Sequence, residues 1–339
     1  MGINRRTAIK LTAALFAALM LPLFTAPAHA QADPEFVITF QTVAPERTPW
    51  ARQLTRLKED WEAKSKGRIK VKLFLGRGNE IALVRKCKSG ELTAIGVSTA
   101  AMAEEIPAMG VFELPYIFKS VEQADKVIDN HLFKPTSELL AKNGFQIFIY
   151  SENGYRNFAT KGKEIHTVKD LAALKMRSQE NWIHEETYRA LGGNPVRISA
   201  GEVLTSLSTG QVQGFDNTPL FAFATSWFSQ IDTWTVSDHI YQPAVVVFNK
   251  KWFDGLPKDI QDILMANQAE ETRLGREAIR LLTPKLLEAL KGKKINVVQM
   301  TQAEKDEFAK LTKPVHAMFR KNVKGGAALL DLIEKNKDK

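Results

Sequence analysis

The sequence predicts an α/β fold with a mainly parallel sheet, divided into two domains. Three observations carry this. Strand and helix periods alternate over the first part of the chain, the pattern of a layered α/β domain. At 339 residues the chain is long enough for two cores at about 150 residues each. No low-complexity stretch or long flexible linker separates two halves, so ordered elements must cross between the domains, which favours a hinged clamp over beads on a string.

Phe36, Ile38 and Phe40 alternate with Val37, Thr39 and Gln41, which predicts a strand over 36–42. Pro49 can open a helix, and Trp50, Leu54, Leu57 and Trp61 recur at helical spacing until Gly67. A strand over 69–75, a helix over 80–89 stopped by Gly90, and strands over 92–97 and 145–151 follow. Thr167 offers a cap for a short helix, 174–177 reads as extended, and 182–191 as helical until Gly192-Gly193. Residues 200–209 form a helix closed by Gly210, and 244–248 an apolar strand. From Leu256 a helical pattern carries Ile260, Ile263, Leu264, Leu274, Ala278, Leu281 and Leu282, well beyond a typical helix. Pro284 should kink or interrupt it near Arg280. Thr301 and Glu304 stand in capping-box spacing.

At the N-terminus Arg5, Arg6 and Lys10 precede an apolar run from Leu11 to Phe24 that ends in Ala28-His29-Ala30. That order predicts residues 1–30 as a signal peptide, with a mature chain starting near Gln31. The run is shorter than the roughly 18 to 20 residues of a membrane span. Arg5-Arg6 hints at twin-arginine export and Ala8 speaks against it, so both export routes stay open. No cysteine lies near the cleavage site, which disfavours a lipid anchor. Without the signal, 44 Lys and Arg stand against 38 Asp and Glu, a net of +6. The excess is spread along the chain, so it reads as a solvated surface that helps draw in a small anion, and nucleic acid is not an expected partner. The lone Cys87 excludes an intrachain disulfide, argues against a thiolate metal cluster, and reads as a buried structural thiol on a helix.

A search for catalytic motifs returns fragments. His131, His166, His184, His239 and His316 are far apart, and surface or capping roles are expected for them. His184-Glu185-Glu186-Thr187-Tyr188 has Tyr188 where a second zinc ligand should be. Gly96-Val97-Ser98-Thr99-Ala100 lacks the last glycine of a nucleophile elbow, and no clear helix follows it. Gly76-Arg77-Gly78 is a fragment of a phosphate loop, and no Gly-Lys-Ser/Thr occurs. The expectation is a non-enzyme with no catalytic residue, no metal and no cofactor.

Asn153-Gly154-Tyr155-Arg156, Leu174-Lys175-Met176-Arg177, Gly192-Gly193-Asn194-Pro195 and Gly214-Phe215-Asp216-Asn217 occur in an order and spacing that resembles the DctP family of TRAP (tripartite ATP-independent periplasmic) transporter solute receptors. Glu113-Leu114-Pro115-Tyr116, Gly201-Glu202-Val203 and Leu256-Pro257-Lys258-Asp259-Ile260-Gln261 are similar to further segments of that family, so the resemblance covers nearly the whole mature chain. It implies a periplasmic-binding-protein-like clamp, with two α/β domains joined by crossing strands and a long interdomain helix. Domain I would hold 31–154 plus 243–282, and domain II 155–242 plus 283–339. It further implies a monomer in the periplasm whose partners are a small organic carboxylate and the permease subunits of a membrane transporter. A sensory module serving a membrane kinase is the alternative. A periplasmic enzyme on the same scaffold is disfavoured by the missing motifs.

The resemblance also implies the site. Arg177 matches the family's anchoring arginine, whose planar guanidinium can donate two parallel hydrogen bonds to a carboxylate. Arg156 matches a second, less uniform arginine and could instead hold the hinge. Asn217 follows the stretch Gln213-Gly214-Phe215-Asp216, in which Gln213 replaces the family's Asp and Asp216 its Glu; Asn217 could alternatively cap the next helix. Glu80 matches a position that faces ligand hydroxyls, or it serves the helix dipole. Trp182 and Phe215 could wall the pocket and favour an apolar or aromatic acid over a sugar acid, or they pack in the core.

Overall fold

Burial along both faces, more than alternation, defines the strands that join this molecule. The computed structural model describes residues 33–338; the signal peptide expected over 1–30 and its cleavage site lie outside them. The strands are β1 (Phe36–Thr42), β2 (Ile69–Phe74), β3 (Ala94–Ser98), β4 (Phe145–Thr160), β5 (Lys175–Ser178), β6 (Asn194–Arg197), β7 (Gly214–Asn217), β8 (Thr233–Asn249) and β9 (Asn296–Gln299). They form one sheet in the order β2-β1-β3-β8-β4-β7-β5-β6, with β9 beside β8.

The sheet is mixed: the parallel layer expected from the first strands forms, and an antiparallel centre is added to it. The flanks are parallel, β1 with β2 and β3, and β5 with β6 and β7. The centre is antiparallel, because β4 and β8 run along each other in opposite directions for most of their length, and β3 and β7 pair antiparallel on either side of them. β4 has 16 residues and β8 has 17, so the strands expected over 145–151 and 244–248 are parts of longer ones. Register shifts at Ile147/Ile149, Glu152/Gly154 and Arg156/Phe158 each turn the following side chains to the other face, which hides a strand from any period-2 test. Nearly every residue of β8 is buried, so no polar alternation marks it either.

Local capping chemistry formed as expected. Thr48 accepts from Ala51 N–H to start the helix Pro49–Lys64, and Gly90 ends Glu80–Ser89 at φ 87°. Thr301 and Glu304 form a reciprocal capping box on Gln302–Asn322. The long helical pattern after Leu256 resolves into the helices Lys258–Met265 and Gln268–Gly292. The break comes at Ala266 and Asn267, where Asn267 takes φ 62°, a left-handed conformation that asparagine tolerates. Pro284 does not interrupt the 25-residue helix. The proline is exposed, so the carbonyl it leaves without an N–H partner, four residues earlier, sits on the solvent side and need not be buried unsatisfied.

This helix is clamped to the centre of the sheet. A Cβ on Gly275 would lie 2.6 Å from both Gln53 Oε1 and Ser151 Oγ, so any larger residue would have to push those side chains aside. The next residue, Arg276, pairs with Asp125 and Asp129, and one turn on Arg280 pairs with Asp125 and with the buried Glu152 of β4. Tyr241 of β8 donates to the same Glu152 carboxylate at 2.9 Å. Residues 34–338 hold together as one compact unit. Cys87 is fully buried in the core, and burial pushes its thiol pKa up, so it is an inert packing residue.

Candidate functional site

Strand directions create the site. β3 ends at Ser98, beside Ala244 of β8, whose other neighbour is Ser151 of β4. β7 runs the other way and ends at Asn217, beside Asn157 of β4. The C-terminal ends of the two parallel flanks therefore face each other across the middle of β4 and β8. Crevices outside the carboxyl ends of strands are where open α/β sheets bind ligands. Here the crevice is a cleft with about 140 Å³ of internal volume, continuous with solvent.

Arg177, on β5, lines this cleft and is 2 % exposed. Its Nε donates to the Ile198 carbonyl at 2.9 Å, and its guanidinium lies over the Trp227 ring at 5.2 Å. Its Nη1 is buried and has no hydrogen-bond partner. Burial first, and then the neighbouring Arg156, hold its pKa down to about 10, which still leaves it charged at neutral pH. A buried cation with an unused donor and no bonded carboxylate is costly.

Arg156, from the middle of β4, is equally buried but fully engaged. Its Nε donates to Asp216 Oδ2 at 2.5 Å, Nη2 to the Asp216 carbonyl at 2.6 Å, and Nη1 to Gln179 and Gln242. Asp216 also accepts from the Tyr188 hydroxyl at 3.0 Å and has His239 Nε2 at 3.4 Å. Burial opposes the Asp216 charge, but Arg156 and His239 outweigh it and hold the carboxyl well below its usual range. His239 itself is pushed down by burial against the pull of Asp216. Arg156 thus arrives at the cleft as half of a neutral pair, and Arg177 arrives as a net charge.

Asn217 and Glu80 both line the cleft. Asn217 Oδ1 accepts from Thr218 N–H at 2.8 Å, while Thr218, not Asn217, caps the helix Pro219–Ala224. Glu80 opens its helix, with Asn79 as the cap. Its carboxylate accepts from Ser98 N–H at 2.8 Å, Ser98 Oγ at 2.9 Å and Gln179 Nε2 at 3.3 Å. Burial raises its pKa against those bonds from Ser98.

Two expected wall residues stand elsewhere. Trp182 packs against the cluster that contains Ile183, Phe112 and Phe319 and does not line the cleft. Phe215 is fully buried, edge-on to Trp227 at 5.2 Å. Arg177 and Phe215 are register partners on adjacent strands, so Phe215 acts at one remove, by backing the ring on which the guanidinium rests. The aromatic residues that do line the cleft are Trp50 and Phe221.

Gln179, Gln242 and Trp227 escaped the sequence reading. Gln179 follows the Arg177 strand directly, and its position beside that arginine was the one available signal. The histidine expectation fails for two residues: His184 is buried on Glu113 at 2.8 Å, and His239 is buried against Phe158 at 4.2 Å. A helix, Thr99–Glu105, does follow β3, with Ser98 as its cap. Ser98 Oγ is bonded to Glu80 and Gln179, and among the described residues no histidine is bonded to it.

Fold and cleft together define a class: an α/β binding protein with a buried cationic anchor at the junction of two sheet flanks. The chain belongs to the DctP family, bacterial extracellular solute-binding protein family 7, whose model matches residues 40–322. It is similar to the 2,3-diketo-L-gulonate-binding periplasmic protein YiaO of Escherichia coli, at 25 % identity over 80 % of this chain and 84 % of that one. It is also similar to the C4-dicarboxylate-binding periplasmic protein DctP of Rhodobacter capsulatus, at 28 % identity over 85 % and 87 %. Among solved structures it resembles the sugar acid binding protein DctPAm of Advenella mimigardefordensis in complex with galactonate. That match has a TM-score of 0.83 and 27 % identity over 88 % of this chain and 98 % of that one.

Proposed function

We propose that this chain is the periplasmic solute receptor of a TRAP uptake system, binding a small organic carboxylate in the cleft and delivering it to membrane permease subunits. The observation that carries this is the buried, unpartnered Nη1 of Arg177. A ligand carboxylate supplies both the counter-charge and the acceptor that this atom lacks, with geometry that suits a guanidinium. Asn217 and Gln179 complete the polar wall. The reading is of a receptor without catalysis, supported by Ser98 acting as a cap bonded to Glu80. Capture is by two domains, 31–154 with 243–282 and 155–242 with 283–339. The boundary runs through the paired Gly154 and Gln242 beside a register shift, where Gly154 takes φ 105°. Contacts across it at the cleft include polar ones, Asn79 Nδ2 to Glu180 at 2.9 Å, Gln179 to Glu80, and Asn181 Nδ2 to the Ala100 carbonyl at 3.1 Å, while away from the cleft Phe112 packs in one apolar cluster with Ile183 and Phe319. The polar contacts can be exchanged for water as the clamp opens, and ligand drives closure to the extent that it binds the closed state better.

Native mass spectrometry of protein released by osmotic shock tests location and ligand together. The expected result is a chain beginning near Gln31 carrying one small acid. A chain retaining residues 1–30, or one that binds no acid from a panel of carboxylates, would overturn the reading. Solution scattering tests the clamp: the radius should fall on saturation with that acid, and an unchanged radius for stripped and saturated protein would count against two moving domains.

A further inference from the structure

Outside the cleft, the start of the helix Trp182–Ala190 touches the first domain at three points. Its cap, the buried Asn181, accepts from Ile183 N–H on Oδ1 and donates from Nδ2 to the Ala100 carbonyl. Ile183 lies so close to Gly110 that a Cβ there would be 2.6 Å from its Cδ1. His184 is buried and has Nε2 at 2.8 Å from Oε2 of Glu113, itself wholly buried. This turn follows directly on Arg177, Gln179 and Glu180 of the cleft wall. The segment that carries the anchor is therefore continuous with the surface that docks on the first domain.

Glu113 is the centre of this contact. Its donors are the Thr99 hydroxyl from the first domain, Gln242 Nε2 at 2.8 Å from the crossing strand β8, and His184 from the second domain. Gln242 in turn accepts from Arg156 Nη1 at 3.1 Å, which links the contact to the cleft. Neither Glu113 nor His184 lines the cleft itself. His184 Nδ1 is buried without a partner, so Nε2 is the nitrogen whose proton has an acceptor. We propose, resting on the receptor reading above, that Glu113 and His184 form an interdomain latch that sets ligand affinity from outside the site by holding the closed clamp shut. In the open clamp, water serves the acceptor that His184 leaves. In the closed clamp that acceptor is sealed from solvent, so a residue without a donor at position 184 makes closure bury an unsatisfied carboxylate oxygen.

Stopped-flow fluorescence tests this, with Trp50 in the cleft wall and Trp227 beneath Arg177 as reporters. The probe is whichever of succinate, pyruvate, D-gluconate and benzoate binds wild type most tightly. His184→Leu should release it about 10- to 100-fold faster, the scale of one hydrogen bond to a charged group, while association changes by less than about threefold. His184→Gln keeps a donor near the place of Nε2 and should release the probe within about threefold of the wild-type rate. A contact that serves the fold alone would lower the melting temperature of free and bound protein alike and leave release unchanged. That result in a folded His184→Leu overturns the latch, and so does a His184→Gln that releases as fast as His184→Leu. Where thermal melts show His184→Leu misfolded, Glu113→Gln decides. It removes the charge that the donors serve and should speed release at least about tenfold; release at the wild-type rate overturns the proposal. Wild type that binds none of the four acids sinks the receptor reading, whereas tight binding with unchanged release sinks the latch alone.

Discussion

Replacing Arg177 with alanine should weaken binding of the carboxylate by about two to three orders of magnitude, because one partner of a buried charge pair is worth about 3 to 5 kcal/mol and each decade costs about 1.4. A surface ion pair would change affinity by less than about tenfold, since exposed pairs contribute about 0 to 1 kcal/mol. Stability gives a second, independent signature. In the ligand-free protein the Arg177 charge has no bonded carboxylate and Nη1 has no partner, so removing it relieves a buried charge and loses only the Ile198 bond and the Trp227 contact. The variant should therefore melt near wild type or above it, the pattern of a group held at a cost for function. Arg177→Lys keeps charge but has no rigid fork to serve the Ile198 carbonyl and a ligand together, and should recover part of the loss. Calorimetry and thermal melts on both variants make the measurement. An alanine variant that folds and binds within a few-fold of wild type would remove Arg177 from the site.

Asp216 should behave in the opposite way. Asp216→Ala leaves Arg156 unpaired beside Arg177, two buried guanidinium groups without a bonded carboxylate, at a cost of about 3 to 5 kcal/mol in unfolding free energy. Asp216→Asn keeps some hydrogen bonds without the charge and should fall between. The pH dependence carries a defined sign. The folded pKa of Asp216 is depressed below its unfolded value of about 3.9, so the unfolded state binds more protons in the window between them. The contribution is complete above about pH 4 and is lost as pH falls through the folded pKa. Urea titrations at neutral and acid pH should show wild type losing more stability than Asp216→Asn across that window. An Asp216→Ala protein within about 1 kcal/mol of wild type would mean that the pair is not the support for Arg156 that its geometry implies.

Most short elements were legible because their signals are local. Pro49, Gly90, and Thr301 with Glu304 each act within one turn, and the matching helices start or stop where those residues stand. The crossing strands were only half legible, since register shifts and two-sided burial erase the period that would reveal them. Pro284 misled for a related reason: the sequence shows the missing N–H but not that the site faces solvent.

The site divides in the same way. By itself, the sequence determined the family, the residue types able to hold a carboxylate, and the strand that carries Arg177, because ordered motifs and side-chain chemistry are properties of the chain. Only the tertiary structure decided which arginine is free. Asp216 is 60 residues from Arg156, and Gln242 is 86 from it; nothing in the chain's order announces that these groups neutralise and saturate one guanidinium while leaving the other with an unused donor. Likewise Trp227 reaches Arg177, and Phe215 falls behind it, only because β5 and β7 are neighbours in the sheet. Charge compensation in a protein interior is a short-range, three-dimensional property, set by which segments folding brings within hydrogen-bond distance.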